Sequence, residues 1–126
     1  MTDRLAAYVF MALVAVGAAF QLALAAGMPW GEFTLGGKFR GRLPGRIRVV
    51  SLFSACLLML FACIVAASAG LVFHAMHSAA SQAIWFVVGY CALGVLANAA
   101  TPSRRERMLW LPVVSLMLTA SLIVAL

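Results

Sequence analysis

Four long stretches of the chain are almost unbroken apolar sequence, and three short segments of different character separate them. The stretches cover about 5–26, 49–72, 82–100 and 108–126. At about 1.5 Å rise per residue, each is long enough as an α-helix to cross a hydrocarbon core of about 30 Å. The pattern predicts an all-α fold: one transmembrane domain over residues 1–126, an integral membrane four-helix bundle of two antiparallel hairpins. Pro112 falls in the expected first turn of the fourth helix, where a missing N–H is tolerated. A signal peptide is the competing reading of the first stretch, because Ala23-Leu24-Ala25 resembles a cleavage site. The preceding segment holds only Arg4, offset by Asp3, and the apolar run is longer than a usual signal core, so a retained helix is expected.

The connecting segments differ in charge. Loop one, about 27–48, carries Glu32, Lys38, Arg40, Arg42, Arg46 and Arg48. Loop two, about 73–81, has no formal charge and contains His74 and His77. Loop three, about 101–107, carries Arg104, Arg105, Glu106 and Arg107. Loops one and three share one side and hold eight of the nine basic residues. The positive-inside rule places them in the cytoplasm of a cell inner membrane, with both termini and loop two outside. Within loop one, Glu32 to Leu35 and Lys38 to Arg40 flank Gly36-Gly37. Glycines that accept positive φ between short alternating runs predict a β-hairpin, with Phe33, Leu35 and Phe39 against the membrane surface. A weak internal echo pairs Leu43-Pro44 before Val49-Val50-Ser51-Leu52 with Leu111-Pro112 before Val113-Val114-Ser115-Leu116, which raises a parallel duplication.

Composition agrees with the pattern. Of 126 residues, 66% are hydrophobic and 10% charged, a balance suited to a bilayer and not to a water-soluble core. The net charge of +6 sits beside the apolar runs, which directs it to lipid headgroups and topology. Nucleic acid is not an expected partner, since the phosphate-tracking surface would be one short loop. Cys56, Cys63 and Cys91 all lie inside apolar runs without C-x-x-C spacing and read as reduced core thiols.

Small residues bring membrane helices close. Ala62, Ala66 and Gly70 on the second helix, Ala15, Ala19 and Ala23 on the first, and Gly89 and Gly94 on the third read as packing positions. No ionisable residue lies in the middle of a span, which argues against proton-coupled antiport. Gln21 and Asn98 are the strongest polar groups inside the spans and are expected to hydrogen-bond between helices. His74 and His77 share a helical face and are a candidate metal pair, incomplete without a third ligand. The densest constellation is Trp30, Glu32, Asn98, Arg104, Arg105, Glu106 and Trp110 at the basic end. There the tryptophans anchor at headgroup level and both glutamates are expected to pair with arginines. That cluster is the candidate headgroup or ligand site. No nucleophile–base pair, phosphate loop or metal motif is present, so no catalytic residue and no cofactor is assigned.

The segment Gly27-Met28-Pro29-Trp30-Gly31-Glu32, with Gly36-Gly37, Leu43-Pro44 and Glu106-Arg107-x-x-Trp110-x-Pro112, resembles a family of small, largely uncharacterised bacterial four-helix integral membrane proteins with a Pro-Trp-Gly loop after helix one. Met28 stands where Ala is usual. The resemblance implies a bacterial cytoplasmic membrane and brings no activity and no catalytic residues. The functional expectation is a non-enzymatic accessory or binding protein. Its basic cytoplasmic face would meet anionic lipid headgroups or a partner membrane protein, and self-association into a homo-oligomer is a further expectation. The rivals are an oligomeric small-solute transporter or channel, and a membrane redox or metal-binding protein using His74 and His77.

Overall fold

The computed structural model describes residues 2–126. Four helices account for most of it: α1 (Asp3–Ala26), α2 (Gly45–Ser68), α3 (His77–Ala100) and α4 (Arg104–Ala125). All four are long and apolar enough to cross a membrane, so the chain is a small multi-pass membrane protein. α1 packs on α2 and α4, and α3 packs on the same two, so the chain closes a four-membered antiparallel ring. Large side chains such as Phe53, Phe86, Leu93 and Leu96 stay exposed on its outside, where lipid would cover them.

Local chemistry sets the helix ends. The Thr2 hydroxyl accepts from the Leu5 N–H at 3.2 Å and starts α1. Gly27, at φ 101°, ends it: its N–H donates to the Leu24 carbonyl, and the Met28 N–H donates to that of Ala23. Gly70, at φ 77°, closes α2 with the same pair of bonds, to Ala67 and from Leu71 to Ala66. α2 therefore stops at Ser68, short of Val72, because the left-handed glycine ends the helix while apolar sequence continues. Gly70 thus lies past the helix it was expected to pack.

α3 and α4 begin earlier than their apolar runs, since polar residues suit a first turn as well as apolar ones. Pro112 consequently sits inside α4 and not in its first turn. There it deprives the Met108 carbonyl of a helical donor. Pro44, by contrast, immediately precedes α2. The two prolines of the internal echo occupy different helical positions.

Loop one is not a β-hairpin: no strand exists among the described residues. It forms two 3-10 turns, Gly31–Phe33 and Leu35–Gly37. Gly36 and Gly37 do take positive φ, 68° and 75°, but Leu35 joins them at 52°. Three successive left-handed residues coil the chain and leave no extended arms to pair. A methyl group on Gly31 would lie 1.8 Å from the Phe39 carbonyl oxygen, so the loop doubles back across a position open only to glycine.

The core lies at one end of the bundle. Ala6, Ala7, Phe10 and Val14 of α1 meet Phe61 and Val65 of α2, Ile84 and Val87 of α3, and Ala120 and Val124 of α4. In the antiparallel ring these segments share the end away from loops one and three. The other end is hollow.

Candidate functional site

The hollow end contains a cavity of about 400 Å³. Each helix contributes the half opposite the core: Gly17, Phe20 and Gln21 from α1, Ser54 and Leu58 from α2, Tyr90, Gly94 and Asn98 from α3, and Glu106, Trp110 and Val113 from α4. Phe33 and Thr34 of loop one complete the lining. Phe33 was expected against the membrane surface; it is half-buried over the cavity instead.

Four bonds tie loop one to the start of α4. Glu106 Oε2 accepts from the Gly36 N–H at 2.9 Å. Ser103 Oγ donates to the Glu32 carbonyl at 2.8 Å, and Arg105 Nη1 donates to Glu32 Oε1 at 2.7 Å. Trp110 Nε1 donates to the Phe33 carbonyl at 2.9 Å. Aromatic packing adds to them: Trp30 stacks on Phe20 at 6.2 Å, and Trp110 meets the same ring edge-on at 4.8 Å. Behind the loop, Arg48 Nε donates to the Ala25 carbonyl at 2.8 Å, a cation at the negative end of α1.

Ser103-Arg104-Arg105-Glu106 has the spacing of a capping box, in which the glutamate reaches back to the N-cap N–H. Half of that box forms, with Ser103 Oγ accepting from the Glu106 N–H at 3.2 Å. The other half is diverted. The Ser103 N–H finds Thr101 Oγ1 at 3.3 Å, and the Glu106 carboxylate crosses to loop one. Sequence reasoning missed Ser103; the capping-box spacing is the signal that could have found it.

The expected cluster is thus brought together unequally. Trp30, Glu32, Arg105, Glu106 and Trp110 join loop one to the bundle. Asn98 lines the cavity, but its amide donates to Gly94 within its own helix at 2.7 Å, not to another helix. Gln21 lines it as well. Arg104 projects outward, exposed. Glu32 pairs with an arginine as expected, whereas Glu106 is paired with a backbone N–H. Its arginine neighbours are directed elsewhere, Arg105 to Glu32 and Arg107 to the Thr101 carbonyl. Sequence reasoning missed Phe20, Phe33, Ser54 and Tyr90, ordinary residues that only the folded bundle makes a wall.

The packing positions also divide. Ala66 is buried and Ala62 partly so. Gly94 faces Val114 at 3.9 Å, Gly89 faces open space, and Ala15 and Ala19 face outward. At the far end, His77 Nδ1 lies 3.1 Å from the Ala67 carbonyl, against the end of α2, and His74 is exposed. Among the described residues no three His, Cys, Asp or Glu side chains converge as a metal set. Cys56 and Cys63 are exposed on α2, and Cys91 is buried.

No protein-family model, curated protein or solved structure matches this chain.

Proposed function

We propose that the chain is a non-enzymatic binding protein of a bacterial cytoplasmic membrane, holding a small molecule or lipid headgroup in the cavity beneath loop one. Its basic end faces the cytoplasm, the side that the positive-inside rule assigns to eight of its nine basic residues. The observation that carries this reading is the hollow end itself. The cavity has the size of small-molecule sites and mixes apolar walls with a few polar groups: Gln21, Ser54, Tyr90, Asn98 and Glu106. Exposed arginines at the same end of the bundle, Arg104 among them, suit the phosphates of an anionic membrane surface. The transporter rival draws on the same polar lining. A path through one chain would have to pass Phe10, Val65, Ile84 and Val124, which are packed together.

Native mass spectrometry after release from mild detergent tests the proposal. A defined adduct is expected on the wild type. Gly94→Leu, which adds bulk where the lining has room, should remove it. A clean spectrum from both proteins counts against the cavity as a binding site.

A further inference from the structure

We infer that the cavity takes an organic cation, an alkylammonium group carried on an apolar body, with Glu106 as its counter-ion. The inference rests on the binding reading above and names the chemical class of its ligand.

The argument begins with the acids. The chain has three. Asp3 lies in the first turn of α1, at the far end, and Glu32 is held by Arg105. Glu106 is different. Its residue is only 9% exposed, and it forms no salt bridge among the described residues, although the sequence places arginines on both sides of it. A buried carboxylate without a counter-ion is costly, and arginine is the residue best shaped to relieve it. Here the adjacent arginines are occupied with Glu32 and the Thr101 carbonyl.

Oxygen by oxygen, the site is half used. Oε2 accepts from Gly36. Oε1 has no protein partner among the described residues. No fully enclosed side-chain oxygen or nitrogen there lacks a partner, so Oε1 is reachable, and Glu106 lines the cavity. Its free acceptor capacity is therefore offered to whatever the cavity holds. The N-terminal turn of α4 favours the negative charge at this position.

The remaining walls match a cation with apolar substituents. Phe20, Phe33, Tyr90 and Trp110 present aromatic rings. Trp110 follows Glu106 by one helical turn, so carboxylate and indole lie on the same face of α4. Aromatic faces attract alkylammonium groups, and the attraction grows when water is excluded. Gln21 and Asn98 add neutral amides and no competing positive charge. An anionic ligand would meet Glu106 as a like charge. The neighbouring arginines do not offset this: Arg105 is bonded to Glu32, Arg107 to the Thr101 carbonyl, and Arg104 is exposed.

The chemistry is shared by two sources, a free amphipathic amine and the ammonium of a lipid headgroup. Calorimetric titration of the purified protein in maltoside detergent, using three probes with a common benzyl body, tests the inference. Benzyltrimethylammonium should bind saturably and more tightly than benzyl alcohol or phenylmethanesulfonate. Glu106→Gln, which keeps an acceptor for Gly36, should weaken it by about tenfold or more, in line with loss of a charge-assisted contact. Asp3→Asn should leave it unchanged. Repeating the titration in phosphatidylglycerol nanodiscs with and without phosphatidylethanolamine separates the sources. Competition by the aminolipid identifies a headgroup ammonium, and unchanged affinity identifies a free amine. Preferred binding of the sulfonate, or cation binding indifferent to Glu106→Gln, overturns the inference and leaves the cavity as a binding site of other specificity. Failure of all three probes also overturns it, and the adduct measurement then decides the broader reading separately.

Discussion

Glu106 Oε2 accepts a hydrogen bond at 2.9 Å from the N–H of Gly36, a residue 70 positions earlier in the chain. This bond takes the place of the return bond of a capping box, so the carboxylate holds loop one over the cavity while Ser103 Oγ alone caps the start of α4. Removing it should release the loop. Glu106→Ala leaves a partly buried N–H unpartnered and should cost about 1–3 kcal/mol. Trypsin cleavage within 38–48 should accelerate with it. Glu106→Gln should retain most of the protection, and equal digestion of both variants would show that the bond does not hold the loop.

The outward pair behaves differently. Arg105 is 67% exposed and Glu32 31%, so their ion pair is worth about 0–1 kcal/mol. A double-mutant cycle of Glu32→Gln and Arg105→Gln, read by thermal unfolding in detergent, should give a coupling energy in that small range, weakening with added salt.

Trp110 can be tested by a change that keeps its ring. Trp110→Phe retains an aromatic surface beside Phe20 but loses the donor to the Phe33 carbonyl. The expected cost is about 1 kcal/mol. Trypsin cleavage of loop one should rise less than in Glu106→Ala, and a larger rise would mean that this bond carries more of the loop's attachment.

Two glycines of the same region should respond with opposite signs. Gly31→Ala forces a methyl group 1.8 Å from the Phe39 carbonyl oxygen and should destabilise the protein by more than about 3 kcal/mol. Gly45→Ala meets nothing within 4 Å in the first turn of α2 and should stabilise by about 0.4–1 kcal/mol. Thermal unfolding of the two purified variants is the measurement.

Orientation has a direct readout. In a background with the three cysteines replaced by alanine, Lys38→Cys should resist a membrane-impermeant maleimide in intact cells and react after lysis. His74→Cys should react in intact cells. The reverse pattern would turn the basic end outward.

Four spans, their antiparallel order and the gathering of basic residues at one end were legible in the sequence. Each follows from a property that a linear reading contains. An apolar run of twenty residues has one stable form in a bilayer, the helix, because no water is present to satisfy its backbone. The glycine pair of loop one was legible as a turn for a similar reason, since only certain residues accept positive φ cheaply. Its form was not. Whether Gly36-Gly37 makes a hairpin or a 3-10 coil depends on what receives its N–H groups, and the receiver, Glu106, lies at the far end of the sequence.

The site divides along the same line. Trp30, Glu32, Glu106 and Trp110 stood out because strongly polar or amphipathic side chains beside apolar runs are uncommon. Their partners did not. Ser103, Phe20 and the Phe33 carbonyl became partners through packing, and the pairing of Glu32 but not Glu106 with arginine depends on directions that sequence spacing does not contain. By itself the sequence determined the spans, their order and the end that carries the charge, because hydropathy and charge are properties of single residues. Only the tertiary structure decided that one end of the bundle is packed and the other hollow, because a cavity is set by the distances between four helices.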